Sequence, residues 1–191
     1  MATQDLIIVN EGDPAFRIQG RLAASQTFKA GAPVTLSSGA IATCPADGTE
    51  ILDGELLGFA LTPAAGVHAG SRTGAANGFG AATGDYVTVI PVTAPGVRIK
   101  TRNFWATGGT TAATPDGANI GALYQITFNN QTGFDRWGVE ETTGAAATDA
   151  TFYVEAVLDI NGIPLKIADT TGGVWVVGFV NAVDNLFQPQ G

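Results

Sequence analysis

A chain of 191 residues with 17 acidic against 9 basic side chains carries a formal charge of −8; such a surface repels a phosphate backbone and argues against nucleic acid as a partner. A single cysteine, Cys44, excludes an intrachain disulfide and a thiolate metal cluster and is expected to be a small buried apolar residue. The hydrophobic content of 45% suits a sizeable core, and 26 glycines alongside abundant Thr and Val favour turns and strands over helices.

In chain order, the N-terminus lacks the basic start and long apolar core of a secretory leader. No apolar run approaches the roughly 20 residues of a membrane span. The expectation is a protein made in a cytoplasm with no membrane partner. Residues 6–9 are an apolar run. Residues 16–22 alternate, with Phe16, Ile18 and Leu22 on one face and Arg17, Gln19 and Arg21 on the other. Residues 1–27 therefore read as an N-terminal arm or a pair of edge strands, able to pack on their own domain or to reach a neighbour.

A recurring device follows: a glycine turn, then a short alternating strand. Gly31 precedes Val34 and Leu36, Gly84 precedes Val87 and Val89, and Gly121 precedes Tyr124 and Ile126. Around the first copy the sequence predicts a meander, with strands at 34–36, 40–43 and 56–61, a Ser37-Ser38-Gly39 turn and an acidic loop at 47–55. The glycine-rich stretch 62–84 reads as a long surface loop, with Phe79 at its centre as a possible anchor for a partner.

Residues 86–92 form a strong strand, in which Pro91 suggests an edge or a bulge. Residues 97–102 alternate strictly and place Arg98, Lys100 and Arg102 on one face. That face is either a solvated side opposite the core or a contact for an acidic protein surface. Residues 104–119 read as loop, with Pro115-Asp116-Gly117 as a turn. Further strands are expected at 123–128, 137–141, 152–158, 165–168 and 174–180. The last, VWVVGFV, is apolar enough for both faces to be covered. The tail 187–191 reads as frayed or partner-bound. In all, roughly ten to twelve short strands with little helix predict an all-β barrel or sandwich with long Gly/Ala/Thr-rich loops. Residues 28–102 form a first lobe and 103–191 a second, or the two are one continuous domain.

Chemistry finds little footing in this pattern. His68 is the lone histidine, and Ser25, Ser37, Ser38 and Ser71 sit in no nucleophile elbow. Asp47, Glu50, Asp53 and Glu55 cluster in one loop, where solvated surface, a calcium site or a carboxylate pair are the readings; Glu140 and Glu141 are adjacent and would diverge on a strand. The expectation is no catalytic residue, no cofactor and no metal. Trp105, Trp137 and Trp175 could build a sugar-stacking platform, a core or an interface.

The strings FKAGAPVTLSSGAIA, ILDGELLGFALTPAAG and AATGDYVTV, over about residues 25–92, resemble capsid decoration (cement) proteins of tailed bacteriophages. The shared pattern is a Gly-x-x-Val strand, a short Ser/Gly link and a following strand, here Leu57-Gly58-Phe59-Ala60. The resemblance implies a non-enzymatic virion protein on the outer surface of an icosahedral capsid, with the major capsid protein as partner and homotrimers on local three-fold axes. Expected contact residues toward capsid or subunit are Phe16, Arg17, Arg21, Phe79, Arg98, Lys100, Arg102 and Trp105. A carbohydrate-binding or host-recognition β module of a fibre or tail protein is the alternative.

Overall fold

The computed structural model describes residues 5–10, 16–23, 26–45, 51, 56–64, 86–94, 96–106, 111–129, 136–141 and 151–180. Phe79, His68, the acidic loop carboxylates and the tail 187–191 lie outside them. Among the described residues the chain is all-β, with twelve strands in two sheets and one short 3-10 turn.

The strands are β1 (Ile7–Asn10), β2 (Ile18–Arg21), β3 (Pro33–Ser37), β4 (Ala40–Thr43), β5 (Gly58–Ala60) and β6 (Tyr86–Pro91), then β7 (Arg98–Thr101), β8 (Phe104–Trp105), β9 (Leu123–Asn129), β10 (Arg136–Glu140), β11 (Phe152–Leu158) and β12 (Trp175–Val180). One sheet runs β2-β6-β5-β3-β4. Its two ends meet, since Leu22 forms a parallel bridge with Ile41 and the Ala23 N–H donates to the Ile41 carbonyl at 2.8 Å. The sheet thus curls into a small barrel around Leu22, Phe28, Val34, Ile41, Val87 and Val89. The other sheet runs β1-β7-β12-β11-β9-β10-β8.

Strand alternation joins the two sheets. On β5 and β6, Ala60 and Val89 point into the barrel, while their neighbours Phe59 and Ile90 point out of it. Phe59 and Ile90 bury themselves in a larger core with Ile99, Phe104, Ile126, Val139, Phe152 and Val176 of the seven-stranded sheet. Cys44 is fully buried in that same core, as its apolar character led one to expect.

The glycine device is visible at two of its three copies. Gly31 and Gly121 both have φ of +87°, and each is followed two residues later by the first residue of a strand, β3 and β9. Gly84 lies outside the described residues.

Four strand expectations change. Pro91 ends an interior strand, because β6 lies between β2 and β5. Its neighbours take the bonds to β5, the Val92 N–H donating to the Leu57 carbonyl at 3.1 Å. The Pro91 nitrogen therefore faces the β2 side, where pairing has already stopped at Val89, and no donor is missed. Residues 104–105 read as loop, yet form β8, parallel to β10. Residues 165–168 read as a strand, yet form a turn, with Pro164 alone bridging to Leu158. Finally, β12 is buried on one face only: Val176, Gly178 and Val180 are buried, while Trp175, Val177 and Phe179 are half-buried. β1 and β2 belong to different sheets, and β1 and β7 join the sheet otherwise built from residues after 103.

Candidate functional site: an apolar turn beside a basic strand

The outer face of the seven-stranded sheet carries the basic strand. On β7, Ile99 and Thr101 are buried, and Arg98 and Lys100 are half-exposed on the opposite side, as the alternation predicts. Arg98 reaches across β12 to Glu155 of β11, with its Nη2 donating at 3.1 Å and its Nε making a second short bond. Glu155 stands at a bulge in β11, where the register to β12 shifts between Val154 and Ala156; such bulges re-aim a side chain. The bidentate carboxylate raises the guanidinium's pKa above its ordinary value. Since both side chains are partly in water, the pair contributes at most about 1 kcal/mol.

Lys100 and Arg102 take another partner. The Lys100 ammonium lies 4.8 Å, and the Arg102 guanidinium carbon 4.3 Å, from the centre of the Trp175 ring. Neither has a carboxylate partner among the described residues. The indole holds both cations in place through its quadrupole, at about 0.5–1 kcal/mol each on an open surface.

Arg102 also lines a groove of about 350 Å³, whose other walls are Ala113, Thr114, Pro115, Val174 and Ile160. Two loops build it. The first is organised by a capping box around the 3-10 turn Gly117–Asn119. Asp116 Oδ1 accepts from the Ala118 N–H at 2.8 Å, and Asn119 Oδ1 accepts from the Asp116 N–H at 2.7 Å. The Asn119 amide then donates to the Tyr124 hydroxyl at 2.7 Å, tying the loop to β9. Burial pushes the Tyr124 pKa up, and the Asn119 bond opposes that shift.

The second loop, residues 159–174, is the feature that sequence reading missed. Asp159 Oδ1 accepts from the Asn161 and Ile163 N–H groups, both at 2.8 Å. Asp169 Oδ2 accepts from the Lys166 N–H at 2.7 Å. The two loops are laced together by the Gly117 N–H on the Asp169 carbonyl at 3.0 Å and the Gly173 N–H on the Pro115 carbonyl at 2.6 Å. Gly117 admits no side chain, because a Cβ there would strike the Lys166 carbonyl oxygen. Within the loop Leu165 turns inward onto the core. Ile160, Ile163 and Ile167 turn outward and are 78%, 60% and 69% exposed. Isolated exposed apolar residues are ordinary; here three fall within eight consecutive positions of one hydrogen-bonded loop. The legible signal was INGIPLKI, a turn pair and a proline interleaved with apolar residues and flanked by Asp159 and Asp169.

The remaining expected contact residues fall elsewhere. Phe16, 44% exposed, lies with exposed Arg17 and Arg21 along the β2 edge of the barrel, on the other sheet from the basic strand. Trp105 is a correction: it is 3% exposed and is no surface anchor. Its strand pairs with β10, and its indole packs where Gly138 has no side chain, a Cβ there falling 2.6 Å from the indole nitrogen. Trp137 is also buried, edge-on to Phe128. Glu140 is buried and Glu141 half-buried. Among the described residues no group of three or more His, Cys, Asp or Glu side chains is placed to hold a metal. No family model and no curated protein matches this chain.

Proposed function

We propose that this chain is a structural protein of a virion that makes and breaks no bond. It binds the outside of the icosahedral capsid of a tailed bacteriophage, with the major capsid protein as partner, and holds neighbouring capsomers together as trimers on local three-fold axes. The observation that carries this reading is the isoleucine turn: Ile160, Ile163 and Ile167 are held outward on a backbone fixed by two aspartates. Covering each isoleucine contributes on the order of 1–2 kcal/mol, and a rigid turn loses little entropy on docking. The resemblance over residues 25–92 supplies the kind of partner. Several weak contacts per trimer add by avidity, and binding only the assembled shell stabilises it by mass action. A sugar platform has less support, because Trp105 and Trp137 are buried and two cations lie against Trp175.

The experiment mixes purified protein with undecorated capsids and follows bound protein by sedimentation. Saturable, stoichiometric binding is expected. The double variant Ile163→Ser/Ile167→Ser is expected to bind at least about tenfold more weakly, equivalent to ~1.4 kcal/mol. Absence of saturable binding by the unaltered protein refutes the proposal.

A further inference from the structure

We infer that the groove between residues 113–115 and the isoleucine turn receives an extended acidic segment of a partner protein. A carboxylate would meet Arg102 and Lys100, and an adjacent apolar side chain would lie against Ile160 and Val174. The inference rests on reading this face as a protein-contact surface, and it names the chemistry of what makes contact.

Charge carries the argument. The chain has an excess of acidic groups, yet three of its basic residues stand on this one face. Where the chain supplies a carboxylate it is taken, as Glu155 is by Arg98. Among the described residues Lys100 and Arg102 have no carboxylate partner and rest against Trp175 instead. Arg102 is exposed, lines the groove and is already ordered by the indole. A guanidinium fixed beforehand binds a carboxylate with less entropy loss, and its fork suits bidentate pairing.

Shape chooses the class of ligand. A bare anion needs no groove, and this one has apolar walls from Pro115, Val174, Ala113 and Ile160. A sugar needs an open aromatic face, and the cations already lie against that of Trp175. An extended polypeptide alternates its side chains, so an acidic residue beside an apolar one matches a cation beside an apolar wall.

The test measures fluorescence anisotropy of a short capped peptide alternating Glu with Val, and of its Gln/Val counterpart, against the full chain. Saturable binding of the Glu peptide, weakened by added salt, is expected. Arg102→Gln is expected to weaken it about tenfold or more, and Ile160→Ser to weaken it severalfold. Both positions are exposed, so the variants should stay folded, with a melting temperature within roughly 4 °C of wild type, the loss expected from one indole–cation contact. Equal binding of the two peptides, or binding indifferent to Arg102→Gln, overturns the inference. So does self-association that Arg102→Gln abolishes, since the occupant is then a second copy of the chain. So does displacement of the peptide by a sulfated disaccharide more tightly than by free Glu peptide. Capsid binding assayed in parallel separates the two ideas. Capsid binding with no peptide binding removes the acidic segment alone, whereas peptide binding with no capsid binding removes the capsid.

Discussion

At the scale of single residues, Gly31 and Gly121 share a backbone conformation and differ in surroundings. Both sit at φ +87°, where an L side chain costs roughly 1–2 kcal/mol. A Cβ on Gly31 would also run into the Leu6 carbonyl oxygen, while one on Gly121 meets nothing nearer than the Tyr153 hydroxyl at 3.9 Å. Gly31→Ala should therefore destabilise the protein by clearly more than the ~1–2 kcal/mol of Gly121→Ala in chemical denaturation. Equal losses would mean that conformation alone decides at both sites. Sequence spacing made both glycines visible, because a turn before an alternating strand is a local signal. The Leu6 contact was not visible, since it comes from the residue before β1, far back in the chain.

At the scale of the element, the isoleucine turn depends on an ionised Asp159. Its carboxylate accepts from the Ile163 and Asn161 N–H groups, and these bonds, that from Ile163 foremost, hold its pKa below the ordinary carboxylate value. A folded-state pKa below the unfolded one contributes stability that is complete above the unfolded value. That contribution is lost as pH falls through the folded value. The turn should thus be intact at neutral pH and loosen only below the usual carboxylate range. Amide exchange at Ile163 should accelerate there relative to strand amides, and Asp159→Asn should remove that pH dependence. The same element shows why 165–168 misread as a strand. Apolar residues at 163, 165 and 167 alternate, but two Asx-type side chains bonded the backbone before a sheet could.

For the whole molecule, Phe59 is the telling residue. It belongs by hydrogen bonding to the barrel sheet and by burial to the core of the other sheet. That core draws Leu6, Cys44, Phe59 and Ile90 from one side of residue 103 and Ile126, Phe152 and Val176 from the other. Phe59→Ala should cost about 3–5 kcal/mol and lower Tm by roughly 6–20 °C in a single calorimetric transition. Two resolved transitions, with only one displaced, would show that the sheets melt independently.

The order of residues along the chain was enough to specify an all-β protein, the places of most strands, and the basic face of β7, because alternation and turn chemistry act between near neighbours. Partnership was decided elsewhere. That β1 and β7 join the later strands and that Trp105 is buried against Gly138 follow from pairings between distant segments, and that Ile160, Ile163 and Ile167 stay in water is seen only once the sheets are stacked. A strand's pattern says which side chains share a face; only the strand beside it and the sheet stacked on it determine whether that face is covered.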